Sequence, residues 1–183
     1  KLLSYTELEY YMLNKPAGCV SARTDEQCQT VLNLILSKKR KDLFPVGRLD
    51  KDTEGLLLIT NDGQLAHKLL SPKRHVDKTY EAKVRGRVTL EHVKCFREGL
   101  DIGEERLTLP ASLEIRSSGE ISEVHVTVQE GKYHQIKRMF HAVGCEVLYL
   151  KRLSMGSLVL DGSLKPGEYR PLTEEELAGL QKG

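Results

Sequence analysis

The sequence of 183 residues has no tryptophan, and its three phenylalanines and seven tyrosines make up only 5% of the chain. So few aromatic rings argue against a surface that stacks several nucleobases in succession. The chain also lacks any apolar run near the roughly 20 residues of a membrane span. Residues 1–11 lack the apolar core of a signal peptide. We therefore expect a soluble, cytoplasmic protein with no membrane partner.

Cysteine is scarce and scattered. The four cysteines, at positions 19, 28, 95 and 145, form no Cys-x-x-Cys pair, and the six histidines do not have the spacing of a ligand set. We expect reduced thiols and no metal site, because both zinc ribbons and disulfide frameworks need closely patterned ligands. The motifs of serine hydrolases (G-x-S-x-G), nucleotide hydrolases (G-x-x-x-x-G-K-[ST]) and zinc proteases (H-E-x-x-H) are also absent.

Charge is segregated along the chain although the net charge is only +2. Residues 66–87 carry seven Lys or Arg against two acids, whereas residues 98–123 carry seven acids against two Arg. Clustered cations are what phosphate contacts require. A charged run is more often simply a solvated face, so on its own this pattern leaves both interpretations open.

Length and composition predict one catalytic domain over residues 1–183, built either on one core or as two subdomains around a cleft. Alternating and continuous apolar runs indicate strands, and apolar residues spaced three and four apart indicate helices. The pattern favours an α+β fold with a mixed, largely antiparallel sheet flanked by helices. The strands are expected at residues 8–13, 56–59, 78–88, 112–115, 122–128, 147–153 and 158–160, and the helices at residues 30–39, 64–70, 89–97, 134–143 and after Thr173.

One acid is set apart by its position. Asp50 lies in a polar turn between Val46 and the apolar run 56–59, so it is expected at the rim of a buried strand. Taken alone, Asp50 is as well explained as a turn former that bonds its own backbone.

Four segments together resemble the pseudouridine synthases of the ribosomal small-subunit and large-subunit type. They are residues 47–56 (GRLDKDTEGL), 14–21 (NKPAGCVS), 78–84 (KTYEAKV) and 131–140 (GKYHQIKRMF). The resemblance implies the catalytic fold of that family, with a central RNA-binding cleft. It also implies an enzyme that breaks the bond between ribose and uracil nitrogen, turns the base and rejoins it through carbon. That reaction needs no cofactor.

The resemblance also implies roles for individual residues. Asp50 corresponds to the catalytic aspartate, Lys137 to its basic partner and Tyr80 to the aromatic residue against the flipped uracil. Arg48 is expected to hold RNA or to fill the vacated stack. From the residues alone, other interpretations stay open: Lys137 as a solvated helix lysine, Tyr80 as a core tyrosine and Arg48 as a structural arginine.

Further cations are expected along the RNA path, because most positioning contacts go to phosphate. For each of them, ordinary surface charge is the alternative. They are Lys15, Lys73, Arg74, Lys78, Arg138, Lys151 and Arg152.

Residues 132–140 are more similar to the small-subunit enzymes, so small-subunit (16S) ribosomal RNA is the expected partner of a monomeric enzyme. Relatives of this type commonly carry an N-terminal RNA-binding domain of the S4 kind, which is expected to be missing from this chain. Three alternatives remain open at this stage: a large-subunit (23S) enzyme, a noncatalytic ribosomal RNA-binding or assembly factor, and an RNA glycosidase that releases uracil.

Overall fold

A computed structural model describes residues 7–22, 24–25, 27, 29–35 and 42–182 of the chain. Within these residues, strands outnumber helices and several strands follow one another directly, as is typical of an α+β fold. The strands are β1 (Tyr10–Lys15), β2 (Phe44–Pro45), β3 (Glu54–Thr60), β4 (Lys78–Arg85), β5 (Ser112–Ser117), β6 (Ile121–Val128), β7 (Glu146–Met155), β8 (Leu158–Val159) and β9 (Tyr169–Pro171). The α-helices are α1 (Gly63–Leu70), α2 (Leu90–Glu98), α3 (Gln135–Ala142) and α4 (Glu174–Lys182), with short 3₁₀ segments at Val31–Leu34 and Pro72–Arg74.

The strands form one sheet with the order β5-β6-β4-β7-β3-β1-β9, and β2 and β8 pair beside β3 and β7. Antiparallel pairing joins β9, β1, β3 and β2 into one half, and β7, β8, β4, β6 and β5 into another. β3 and β7 run parallel and pair through Glu54 with Lys151 and Gly55 with Arg152. The expected mixed, largely antiparallel sheet is confirmed, and we call the β3/β7 junction the seam.

Gly55 allows the two strands of the seam to approach. Its φ of +109° lies in the region that glycine favours. A Cβ at this position would lie 2.2 Å from the carbonyl oxygen of Arg152 and 2.6 Å from its amide nitrogen. The pairing of β3 with β7 therefore requires glycine here.

The apolar run in β3 is explained by burial on both faces. Leu56 and Leu58 pack into a cluster that includes side chains of α1 and α4, whereas Leu57 and Ile59 pack into a second cluster on the other face. All four side chains are fully buried. A strand covered on both sides reads as continuously rather than alternately hydrophobic, so β3 holds the turn before it on a rigid base.

The half of the sheet around β4 has its own core. Val124, Val126 and Val128 alternate along β6 and point into it. Phe96 of α2 meets Phe140 of α3 there, with ring centroids 4.9 Å apart and planes inclined at 53°. This contact fixes α3 against the sheet, which matters because α3 carries the cations of the basic motif.

The predicted elements are found with small shifts at their ends, apart from one helix. The expected helix at 30–39 is wrong where it can be compared: the structure has a 3₁₀ turn at Val31–Leu34, and Ile35 is extended. Val31 and Ile35 fill the cluster beside β3 from this short segment, so their apolar spacing reflects burial without a longer helix. Residues 36–41 lie outside the described part. The short strands β2 and β9 were not predicted.

No described helix has the length and apolar character needed to cross a bilayer. The three cysteines at described positions, Cys19, Cys95 and Cys145, are free thiols.

Candidate active site

The turn that carries Asp50 is fixed by the segment following β1. The amide of Thr53 donates to the carbonyl of Asp50 across the turn at 3.0 Å. The buried hydroxyl of Ser21 donates to the carbonyl of Leu49 at 3.1 Å and accepts from the amide of the same residue at 3.1 Å. The residue immediately before Asp50 is thus bonded through both of its backbone polar groups.

Lys15, at the end of β1, is the central support of this turn. Its side chain is fully buried, and its ammonium group donates to the carbonyls of Thr53 at 2.7 Å, Lys51 at 3.0 Å and Pro16 at 3.0 Å. Burial lowers the pKa of Lys15 from its usual 10.5, although nearby acidic groups oppose the shift. The expectation that Lys15 lines the RNA path is therefore corrected: its donors are used to hold the turn.

Two side chains from the start of α3 reach Asp50 from the other half of the sheet. The Lys137 ammonium lies 3.3 Å from Oδ2 of Asp50, and Nε2 of His134 lies 3.3 Å from Oδ1. Lys137 also donates to Oδ1 of Asp52 at 2.8 Å. Lys137 thus contacts both carboxylates, and its shorter contact is with Asp52, the more exposed of the two.

The charges of this group shift two pKa values in the expected directions. Burial lowers the pKa of Lys137, but the hydrogen bond to Asp52 and the charge of Asp50 outweigh burial and raise it overall. The hydrogen bond from Lys137 lowers the pKa of Asp52, while partial burial opposes the shift. Both shifts favour the charged forms, so Lys137 remains a cation beside Asp50 at neutral pH.

Asp50 and Lys137 line an open pocket at the seam. Tyr80 of β4 forms part of its wall, where its half-buried ring packs against the cores of both halves. Mixed polar and apolar walls of this kind suit a planar polar ligand. The other residues lining the pocket are Arg48, Leu49, Thr53, Val128, Glu130, Gly131, Lys132, His134, Gln135, Ile136 and Leu150.

This geometry can be compared with known families. The family of RNA pseudouridylate synthases matches residues 9–142, which contain Asp50, Tyr80 and Lys137. The chain belongs to this family. It is accordingly an enzyme that isomerises uridine in RNA.

Individual relatives agree with this assignment. An uncharacterised RNA pseudouridine synthase of Bacillus subtilis strain 168 is 52% identical over 177 residues, which cover 96% of this chain and 74% of that protein. Ribosomal small subunit pseudouridine synthase A of Escherichia coli K12 is 44% identical over 172 residues, covering 93% and 73% of the two chains. This chain therefore spans about three quarters of each of these relatives, and the similarity identifies a small-subunit-type member of the family.

Solved structures show the same fold. A crystal structure of a pseudouridylate synthase superimposes with a TM-score of 0.89 at 43% identity, covering 95% of this chain and 74% of that one. An H/ACA ribonucleoprotein bound to a substrate RNA containing 2′-deoxyuridine includes a chain with a TM-score of 0.61 at 23% identity, covering 86% and 50% of the two chains. The second likeness concerns the fold alone, and the predicted fold class is confirmed.

The predicted RNA-path cations of this pseudouridine synthase differ in accessibility. Arg48, Lys73 and Arg74 are exposed, and Arg48 stands at the rim of the pocket. Lys78 and Lys151 are half-buried. Burial, followed by the charge of the neighbouring arginine on β7, lowers the pKa of Lys78. These five cations stay candidates for phosphate contacts.

Arg152 is a second correction. Its side chain lies beneath the seam with only 3% of its surface exposed, and its Nε donates to the carbonyl of Leu56 at 2.9 Å. Its Nη2 is buried and has no hydrogen-bond partner among the described residues. An arginine enclosed in this way acts on the seam between β3 and β7 and does not meet phosphate.

Arg138 is also engaged within the protein. Its guanidinium donates to the carbonyls of Tyr133, at 2.8 Å, and Ile102, and it pairs with Glu104 at 3.0 Å. These bonds tie the loop after α2 to the start of α3. The expectation that Arg138 lines the RNA path is corrected accordingly: in this structure it has a structural role.

The contacts of Asp52 with Lys137 and of His134 with Asp50 were not predicted from the sequence. The signal for His134 was its spacing of three residues from Lys137, which places two side chains on the same side of a helix start. Asp52 gave no comparable signal, because Lys137 lies 85 residues away in the chain. Among the described residues, no group of three or more His, Cys, Asp or Glu is placed to hold a metal ion.

Proposed function

We propose that this enzyme converts a specific uridine of small-subunit ribosomal RNA to pseudouridine, with Asp50 acting at the ribose. The observation that carries the proposal is the Asp50 carboxylate held 3.3 Å from the Lys137 ammonium in a pocket that also contains Tyr80. The small-subunit substrate is supported by the names of relatives 44% and 47% identical to this chain.

The proposed chemistry requires one bond exchange and two proton movements. The bond between ribose C1′ and uracil N1 breaks, and a bond between C1′ and C5 forms after the base turns. The proton on C5 leaves and N1 gains a proton, so no electrons are exchanged with a cofactor. The ionised carboxylate of Asp50 attacks C1′ or stabilises the charge that develops there.

Lys137 and Tyr80 complete this assignment. The positive charge of Lys137 favours the ionised form of Asp50, which the reaction needs. Tyr80 is proposed to offer its ring to the face of the uracil, and its hydroxyl to assist removal of the C5 proton. The pocket opens to solvent, so an extruded nucleotide can enter it from the surface. A base inside a helix must be turned out before a side chain can reach its ribose.

The exposed cations are proposed to guide the RNA into this pocket. Arg48 at its rim would contact the nucleotide next to the target or replace the extruded base in the stack. Lys73, Arg74, Lys78 and Lys151 would meet phosphates, which supply position and salt dependence and carry no sequence information.

The enzyme is proposed to act as a monomer in the cytoplasm. Asp50, Tyr80 and Lys137 all come from one chain and meet in one pocket, so a second copy has no residue to add to this group. A ribosomal RNA substrate places the activity where ribosomes are assembled. Sedimentation analysis of the enzyme with and without RNA tests the monomer.

The decisive experiment maps pseudouridine in ribosomal RNA. Unmodified small-subunit and large-subunit transcripts, and small-subunit RNA assembled with ribosomal proteins, are each incubated with enzyme. Carbodiimide labelling and reverse transcription then locate pseudouridine. The variants are Asp50→Asn, which keeps the side-chain shape, and Glu105→Gln, which removes an exposed carboxylate elsewhere.

We expect one new stop in small-subunit RNA with the parent enzyme and with Glu105→Gln. Asp50→Asn is expected to lower the rate by at least about 1,000-fold, the order seen when a nucleophile is removed. A stop confined to large-subunit RNA would refute the small-subunit assignment. A stop that persists with Asp50→Asn would refute the role of Asp50. Free uracil in the supernatant would show that the enzyme cleaves the glycosidic bond and does not isomerise the nucleotide.

A further inference from the structure

Tyr133 is an exposed aromatic residue at the edge of the active site. It precedes α3, and 74% of its surface is exposed. Its ring stacks on that of His134, with centroids 3.8 Å apart and planes inclined at 22°. The Tyr133 hydroxyl forms no hydrogen bond with any described residue, so no such bond accounts for the position of the ring at the surface. One face of the ring is covered by His134, and the ring remains open to solvent on its outer side.

The backbone around Tyr133 is held firmly despite this exposure. The carbonyl of Tyr133 accepts from Arg138 at 2.8 Å. The buried side chain of Gln135 accepts from the amide of Lys132 at 3.0 Å. His134 has a left-handed backbone, with φ of 49°, a conformation that residues other than glycine adopt at a cost. The ring pair is therefore presented in a fixed orientation.

The ring pair also leads directly to the catalytic carboxylate. His134 lies between Tyr133 and Asp50, with its Nε2 3.3 Å from Asp50. Lys132 and His134 line the pocket, whereas Tyr133 stands outside it. A ligand on the outer face of Tyr133 would thus lie beside the pocket, separated from Asp50 by the stacked rings of Tyr133 and His134.

We propose that Tyr133 stacks an unpaired base of the RNA adjacent to the target uridine. The inference rests on the proposed reaction at Asp50, because it identifies the neighbour of the nucleotide in that pocket. Turning a uridine out of its stack leaves the flanking bases without one stacking partner. A fixed aromatic face replaces that partner and accepts any base, since every base has a π-face.

A single platform agrees with the low aromatic content of the chain. Tyr133 and His134 offer one outer face, so one flanking base is stacked and the next follows the backbone contacts alone. Tyr133 is accordingly a specificity-determining residue: it selects sites in which the flanking base is unpaired or easily unpaired.

Fluorescence of 2-aminopurine tests the contact directly. The probe replaces each base flanking the target, one position at a time, in a short RNA that contains the modified site. We expect emission from one flanking position to fall when the enzyme binds, because stacking quenches the probe. Tyr133→Ala is expected to restore the emission, and Tyr133→Phe is expected to retain the quenching. Quenching that is unchanged in Tyr133→Ala at every position would overturn the proposal.

Kinetics provide a second test. RNA labelled with tritium at C5 releases tritium as C5 bonds to C1′. Tyr133→Ala is expected to lower kcat/KM about 10-fold, within the range of one base stacked on an aromatic ring, whereas Tyr133→Phe stays near the parent value. Removing the flanking base from the RNA should lower the parent's kcat/KM by the same factor and leave Tyr133→Ala unaffected. If Tyr133→Ala and removal of the flanking base lowered kcat/KM independently, so that their effects multiplied, Tyr133 would not stack on that base.

A matched control removes an exposed apolar side chain elsewhere. Ile121 is 54% exposed and pairs with Arg85 at the end of β4 remote from Tyr80. Ile121→Ala is expected to change neither the quenching nor kcat/KM. The two readouts also separate this proposal from the reaction: quenching without tritium release refutes the reaction only, and tritium release without Tyr133-dependent quenching refutes the stacking only.

Discussion

Replacement of Lys15 by methionine distinguishes a buried support from an RNA contact. Lys15 donates to three carbonyls that belong to, or lead into, the turn holding Asp50. Methionine fills similar space but removes the donor from the carbonyls of Pro16 and Thr53, whereas the carbonyl of Lys51 still accepts from the amide of Gly18 at 2.8 Å. At about 1 kcal/mol for each of the two carbonyls left unpaired, the low end of the cost of an unpaired buried group, the loss is about 2 kcal/mol. We use the low end because removing the ammonium also relieves the cost of burying its charge.

Urea unfolding followed by circular dichroism measures this loss. For a chain of this length, about 2 kcal/mol corresponds to a fall in Tm of roughly 4–8 °C. The control is Lys73→Met, which removes an exposed lysine. Lys73→Met is expected to change stability by less than about 0.5 kcal/mol and to reduce the salt dependence of RNA binding by about one phosphate contact. If Lys15→Met were equally stable and weakened RNA binding instead, the structural role of Lys15 would be refuted.

The pH dependence of the same pair of proteins gives an independent check. Burial lowers the folded-state pKa of Lys15 below the usual 10.5. The unfolded chain therefore keeps this proton to a higher pH than the folded protein does, and stability increases with pH between the two values. The difference in unfolding free energy between the parent and Lys15→Met is expected to widen as pH rises toward 10.5. A difference that narrows over this range would contradict the burial of the charged group.

Three further changes test the seam, the C-terminal region and the proposed pairing of Lys137 with Asp50. Gly55→Ala places a methyl group against the backbone of β7 and is expected to cost about 3 kcal/mol or more from overlap and backbone strain, measured by urea unfolding. Bonds to Ser163 and Arg170 lower the pKa of Asp161 to about 2. Asp161→Asn is therefore expected to lower the free energy of unfolding at pH 5 and above, and this loss is expected to shrink as pH falls from 4 toward 2. Lys137→Met is expected to lower kcat about 100-fold, as for loss of one electrostatic group in an active site, with little change in RNA affinity by fluorescence anisotropy.

Local signals in the sequence predicted most of the fold. Residues 61–63 (Asn-Asp-Gly) are a turn signal before the predicted helix at 64–70, and Asp62 does cap α1 by accepting from the amide of Leu65 at 3.1 Å. The sequence Thr-Glu-Glu-Glu at 173–176 is typical of a capping box, and Thr173 and Glu176 form one, with bonds of 2.9 and 3.1 Å. Both caps could be predicted because each joins residues only three positions apart in the chain.

The errors arose where distant segments meet. In the sequence, Lys15 resembles a surface cation. In the structure, its ammonium group is enclosed by the turn at Lys51 and Thr53, which lie 36 and 38 residues away in the chain. Arg152 is likewise enclosed by β3, 96 residues from it in the chain. Side-chain type alone cannot distinguish a lysine or arginine that meets phosphate from one that meets carbonyls. The same limit concealed Asp52 as a partner of Lys137.

The seam has a consequence for how activity appears during refolding. Asp50 lies in the turn that leads into β3 of one antiparallel half. Tyr80 lies on β4 of the other half, and Lys137 lies on α3, which packs against that half. The strands of each half pair mainly with each other, whereas β3 and β7 share only two residue pairs. Secondary structure within each half can therefore recover while the enzyme is still inactive, and the return of turnover reports the docking of the two halves across the seam.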